Sequence, residues 1–132
     1  MIEAIPNVSE GRDSAIISEL ENAVRSVAGI IHLGTAPDRD HNRTVITYAS
    51  RSAEALRRAT IRLFEVALDR IDLRSHQGEH PRVGAVDVLP FVPLKAAEMA
   101  ECVELARDVG RTVADRFSLP VFLYEYAASE DY

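Results

Sequence analysis

Three short polar stretches hold the side chains of this chain best suited to chemistry. The richest reads His76-Gln77-Gly78-Glu79-His80-Pro81-Arg82. A histidine titrates near neutral pH, so His80 can both accept and donate a proton. Glu79 beside it could orient the ring, and Arg82 could hold an anionic substrate. The second stretch is Asp38-Arg39-Asp40-His41-Asn42-Arg43. Its guanidinium groups suit a bidentate grip on a carboxylate, and Asp38 and Asp40 suit a cation or a polar group. The third, Asn7-Val8-Ser9-Glu10-Gly11-Arg12, leads into a helix. Backbone N–H groups at a helix start favour anions, and Arg12 adds charge there.

Each stretch has a plainer reading. Asn7, Ser9 and Asp13 are common helix-capping types. A segment rich in Asp and Asn is also an ordinary hairpin turn. His76, Glu79 and His80 formally match H-x-x-E-H, a zinc-peptidase signature that needs both histidines on one helix face. Gly78 inside the motif and Pro81 directly after it disfavour that helix. The zinc hydrolase therefore stands as an alternative to acid–base catalysis by His80.

The elements that must carry these stretches follow from period. Ile16, Leu20, Val24 and Val27 recur at helical spacing, with Asp13 or Ser14 as cap. Leu56, Ala59, Leu63 and Ala67 mark a second helix capped by Ser52. Met99, Val103, Ala106, Val109, Val113 and Phe117 mark a third, with Cys102 packing at its apolar edge. Strand-like runs are Ile2–Ile5, Ile30–Thr35, Thr44–Ala49, part of Val83–Val92, and Val121–Tyr124. Pro90 and Pro93 make the fourth irregular or place it at an edge.

The order β-α-β-β-α-β-α-β predicts an α/β (α+β) fold: a ferredoxin-like split β-α-β core with an added α-β unit and a mixed or antiparallel sheet covered by helices. Strand order 4-1-3-2 would bring all three polar stretches to one edge of the sheet. Loops on a rigid scaffold are where sites usually form.

Composition narrows the partners. The 132 residues make one domain's worth of core, and 47% hydrophobic with 27% charged residues is ordinary for a globular chain. A net charge of −6 argues against nucleic acid or an anionic membrane as partner. No apolar run is long enough to span a bilayer. The start Met1-Ile2-Glu3-Ala4-Ile5-Pro6 lacks the pattern of a secretory signal. Cys102 is the single cysteine, so no internal disulfide can form and a cytoplasmic setting is expected.

Taken together, Asn7-Val8-Ser9-Glu10-Gly11, Asp38-x-Asp40-His41-Asn42-Arg43 and the run from His76 through His80-Pro81-Arg82-Val83-Gly84 to Pro93 resemble the formiminotransferase N-terminal subdomain. The resemblance runs through nearly the whole chain, including Glu101-Cys102-Val103 and Pro120-Val121-Phe122-Leu123-Tyr124-Glu125, and makes 1–132 one such subdomain. It implies transfer of a formimino group from N-formimino-L-glutamate to N5 of tetrahydrofolate, in histidine breakdown, with folate as co-substrate and no metal. A formyl donor is a related possibility. The resemblance assigns His80 as the catalytic residue. Asn7, Ser9, Glu10, Arg12, Asp38, Asp40, Asn42, Arg43, Glu79 and Arg82 are expected around the substrates.

Ala36-Pro37 stands where some members carry an additional acidic residue, and Tyr48-Ala49-Ser50 where strand 3 commonly ends in Gly. The family continues into a second subdomain, with folate in the cleft between the two. The expected partner is therefore that second subdomain, in cis or in trans, with a homo-oligomer as a further possibility. The competing reading is a stand-alone module of the same fold that binds or dimerises without turnover.

Overall fold

The computed structural model describes residues 1–71, 85–88 and 90–117. The predicted strand Val121–Tyr124 and the stretch His76–Arg82 lie outside them. Strands β1 (Ile2–Ala4) and β2 (Asn7–Val8) flank Pro6. Helix α1 spans Ser14–Arg25, and strands β3 (Ile31–Asp38) and β4 (Arg43–Ser50) form a hairpin. Helix α2 spans Ala53–Arg70. Strands β5 (Val86–Val88) and β6 (Phe91–Pro93) are followed by a 3-10 turn at Ala96–Glu98 and helix α3 (Met99–Phe117).

Among the described residues, the six short strands act as four. β1 and β2 are one line that pairs with β4 throughout, because the Pro6 carbonyl still accepts from the Ile46 N–H at 3.1 Å. Proline removes a donor and leaves the acceptor. On the other side that line pairs with β6 and β5, and the Ile5 N–H bridges the gap to the Pro90 carbonyl. β3 lies beyond β4. The spatial order is therefore fourth, first, third, second, with every pairing antiparallel. This is the expected ferredoxin-like order, and the fourth strand is an edge among the described residues, broken at Pro90 as predicted.

Register assigns the two faces. The row His32, Tyr48, Ala4 and Phe91 points toward the helices. The next row, Ile31, Ala49, Glu3 and Val92, points away from them. The three helices lie side by side, with Arg70 of α2 bridging to Glu19 of α1, and Arg57 and Arg116 linking α2 with α3. Leu20, Val24, Leu56, Leu63, Val109 and Val113 are buried between them and the sheet. Asp13 caps α1 by accepting from the Ala15 and Ile16 N–H groups, and Ser52 caps α2. Among the described residues no helix is long and apolar enough to cross a membrane.

A hydrogen-bonded pair of hydroxyls sits inside this core. The Tyr48 hydroxyl is fully buried and bonds the Thr60 hydroxyl at 2.7 Å. Burial pushes the phenol far above its ordinary value, with the Thr60 bond opposing. Its neutral form is thus the one that folds. That contribution to stability is complete below the free phenol's 10.0 and falls as pH rises above it. Tyr48→Phe should cost about 1 kcal/mol in urea unfolding at pH 7, and the variant should lose less stability than the parent between pH 10 and 12.

Cys102 is buried on α3, and its thiol is pushed up to about 11 by burial and then by Glu98 and Glu101. It should resist thiol reagents at pH 8 in the folded chain and react at once in urea, measured by absorbance of the released chromophore.

Candidate functional site: two loops clasped at one sheet edge

β2 ends, the β3–β4 hairpin turns and β5 begins at the same end of the sheet. The first two polar stretches are therefore brought together, with Ala85 beside them. Gly11 is packed against the hairpin so closely that a Cβ on it would lie 2.4 Å from the Arg43 carbonyl oxygen and 2.5 Å from that of Asp38. The sequence suggests a tight turn as the reason for this glycine. The structural reason is close approach of two backbones, and Gly11 does not adopt a positive φ.

The contact is reinforced on several sides. The Gly11 N–H donates to Asn42 Oδ1 at 2.8 Å. Asn42 has φ of 54°, a left-handed conformation that Asn tolerates better than most residues. Arg12 Nε donates to the Arg39 carbonyl at 2.7 Å, and Arg12 Nη2 reaches the Asp40 carbonyl at 3.4 Å. The buried Thr44 hydroxyl donates to the Glu10 carbonyl. The Glu10 carboxylate accepts from the Arg12 and Asp13 N–H groups, each at 3.0 Å, and so braces the first loop from within.

The hairpin turn is braced in the same way. Asp38 Oδ1 accepts from the Asp40 and His41 N–H groups, and Oδ2 contacts His41 Nδ1 at 2.8 Å. The His41 N–H and then its ring hold the Asp38 carboxyl below the usual carboxylate range. Four of the expected substrate contacts, Glu10, Arg12, Asp38 and Asn42, thus have internal partners that fix the loops.

The others are placed differently. Asn7 lies on the face away from the helices, in register with Val45. Its Oδ1 is buried and has no hydrogen-bond partner among the described residues. A buried carbonyl normally has a donor. Asp40 and Arg43 are exposed at the turn. Ser9 donates its N–H to the Ala85 carbonyl at 3.0 Å, which puts the residue following Gly84 beside the first loop. His76, Glu79, His80 and Arg82 lie outside the described residues. Among the described residues no group of three or more His, Cys, Asp and Glu side chains is arranged to hold a metal ion.

The sequence points to Arg39 as one of two guanidiniums in the second stretch but gives Thr44 no role at the site. Thr44 reads as one more β-branched strand residue, and nothing in its type signals a bond to a backbone 34 positions away. Arg39 is exposed at the tip of the turn.

Comparison with known proteins decides the family. All of residues 1–132 match the family described as the formiminotransferase domain, N-terminal subdomain. The chain belongs to this family. A glutamate formimidoyltransferase from Thermoplasma acidophilum is 43% identical over 128 residues, covering 97% of this chain and 42% of that protein. One from Streptococcus pyogenes serotype M1 is 39% identical over 129 residues, covering 98% and 43%. A formimidoyltransferase-cyclodeaminase from Dictyostelium discoideum is 39% identical over 132 residues, covering 100% of this chain and 24% of that protein. The chain thus spans less than half the length of these relatives, as expected of a first subdomain.

The close approach at Gly11 makes a direct test of the formiminotransferase subdomain's loop architecture. Gly11→Ala should destabilise the chain by on the order of 3 kcal/mol. The urea midpoint should fall at unchanged slope, whereas Gly34→Ala, with nothing within 4 Å, should shift it far less.

Proposed function

We propose that this subdomain takes part in transfer of the formimino group from N-formimino-L-glutamate to N5 of tetrahydrofolate, with His80 as general acid and base. Membership of the formiminotransferase family carries the reading. The meeting of the Asn7–Arg12 and Asp38–Arg43 stretches at one sheet edge, with Ala85 beside them, supports it.

The chemistry asks for one proton-transfer group. N5 attacks the formimino carbon, a new N–C bond forms, and a tetrahedral adduct results. The adduct collapses when the bond from that carbon to the glutamate nitrogen breaks, which requires that nitrogen to be protonated. His80 would accept the proton lost by N5 and deliver it to the departing glutamate nitrogen. Folate carries the one-carbon unit, and no step calls for a metal. Asn7 Oδ1 would accept from the formimino N–H; it is buried and has no hydrogen-bond partner among the described residues. Arg43 and Arg82 would meet substrate carboxylates, and Asp40, Ser9 and Glu79 would orient the transferred group and His80. Glu10, Asp38 and Asn42 would act by holding the loops.

On this reading the subdomain supplies one wall of the folate cleft, and a second formiminotransferase subdomain supplies the other, in cis or in trans. The setting would be cytoplasmic histidine catabolism.

The test is release of glutamate from N-formimino-L-glutamate and tetrahydrofolate, by the chain alone and with a second subdomain supplied. The expected result is turnover in at least one arrangement, with His80→Ala lowering kcat by about a hundredfold or more and KM changing little. Substrate binding without turnover in any arrangement would replace the transferase with a binding module. Turnover abolished by a chelator and restored by Zn²⁺ would replace it with a metal-dependent reaction through His76, Glu79 and His80.

A further inference from the structure

The loop clasp contains a guanidinium whose position conflicts with the role its type suggests. Arg12 is exposed, at the edge where anionic substrates are expected. Yet its Nε and Nη2 both point to consecutive main-chain carbonyls, those of Arg39 and Asp40. Nε and Nη2 form the side edge of the guanidinium, one of the edges that can grip a carboxylate with two parallel bonds. Here the hairpin tip occupies that edge. The backbone carrying Arg12 is itself fixed by Glu10, so the side chain springs from a braced base onto a braced turn.

We infer that Arg12 is a positioning residue and not a substrate ligand: it acts through the main chain of Arg39 and Asp40, setting where the side chains of the 38–43 turn stand relative to Asn7. Asn42 performs the same task from the other side of the turn through the Gly11 N–H. The two contacts and the Gly11 approach form one device, because each shortens the same gap between the two loops. A carboxylate gripped side-on by Arg12 would need the Nε and Nη2 edge free. A positioning residue needs its edge filled, in the absence of substrate, by the element it positions.

The inference rests on the formimino-transfer reading, and two independent readouts separate the failure of one from the failure of the other. With a second formiminotransferase subdomain supplied, in cis or in trans, kcat/KM is measured for Arg12→Ala, Arg12→Lys and Asn42→Gly; Gly keeps the positive φ and removes the acceptor. Each is assayed with N-formimino-L-glutamate, with donors whose α- or γ-carboxylate is an amide, and with tetrahydropteroate, which lacks the glutamyl tail. Amide exchange at Gly11, Asp40 and His41 is followed by NMR in the same proteins.

Positioning predicts that Arg12→Ala loses on the order of tenfold to a hundredfold, by the same factor for every donor and acceptor. Arg12→Lys should fall between, since one ammonium can reach one carbonyl. Exchange at the three amides should quicken, and the Arg12→Ala/Asn42→Gly double variant should lose less than the product of the two single losses. A loss that vanishes when one particular carboxylate is removed would make Arg12 a ligand and overturn the inference. Unchanged amide exchange would also overturn it. If the unaltered protein transfers no formimino group, the functional reading fails, and the exchange data alone decide whether Arg12 positions the turn.

Discussion

The approach of the Gly11 backbone to the β3–β4 hairpin is the constraint on which the site end of the fold depends. Contact at this range leaves no room for a side chain. It obliges the strand carrying Asn7 and the hairpin carrying Arg43 to meet at fixed distance. Everything polar nearby then falls into place around the contact: an Asn side chain over one N–H, an Arg over two carbonyls, a Thr beneath a third. These bonds are local in space and distant in sequence, so they join the first and third strands of the sheet as much as they shape a loop.

The helices make that constraint durable. They sit on one face, tied to each other by ion pairs across α1–α2 and α2–α3 and by the apolar layer beneath. Most of those ion pairs are exposed and add little by themselves; burial of Leu20, Leu56, Leu63 and Val109 does more. The sheet is thereby held from one side. Its other face carries Asn7 and Val45.

The scaffold was legible because its signals are local. Helical period located all three helices, and Asp13 and Ser52 serve as the caps their types announce. The order of elements implied the strand order that the pairings display. Boundaries were less legible. β3 runs on through Ala36 and Pro37 to Asp38, because backbone pairing with Thr44 and Arg43 continues past the apolar residues that mark the strand in sequence. Loop roles were least legible. Arg12 and Thr44 bond main-chain carbonyls, and a carbonyl has no residue type to read. Residue type said that these loops are polar and could grip an anion; it could not say which groups grip each other. The roles of His80 and the strand near Val121 rest on the sequence.

The outer strand β3 has a further consequence. Its residues Ile31 and Leu33 are about half exposed, and among the described residues it forms an edge of the sheet, the kind of surface that recruits strands from other chains. Two features blunt it. The register slips between His32 and Gly34, and Pro37 offers no N–H. An incoming strand would find neither an even ladder nor a continuous row of donors, so this edge is guarded against runaway self-association even though its side chains are sticky.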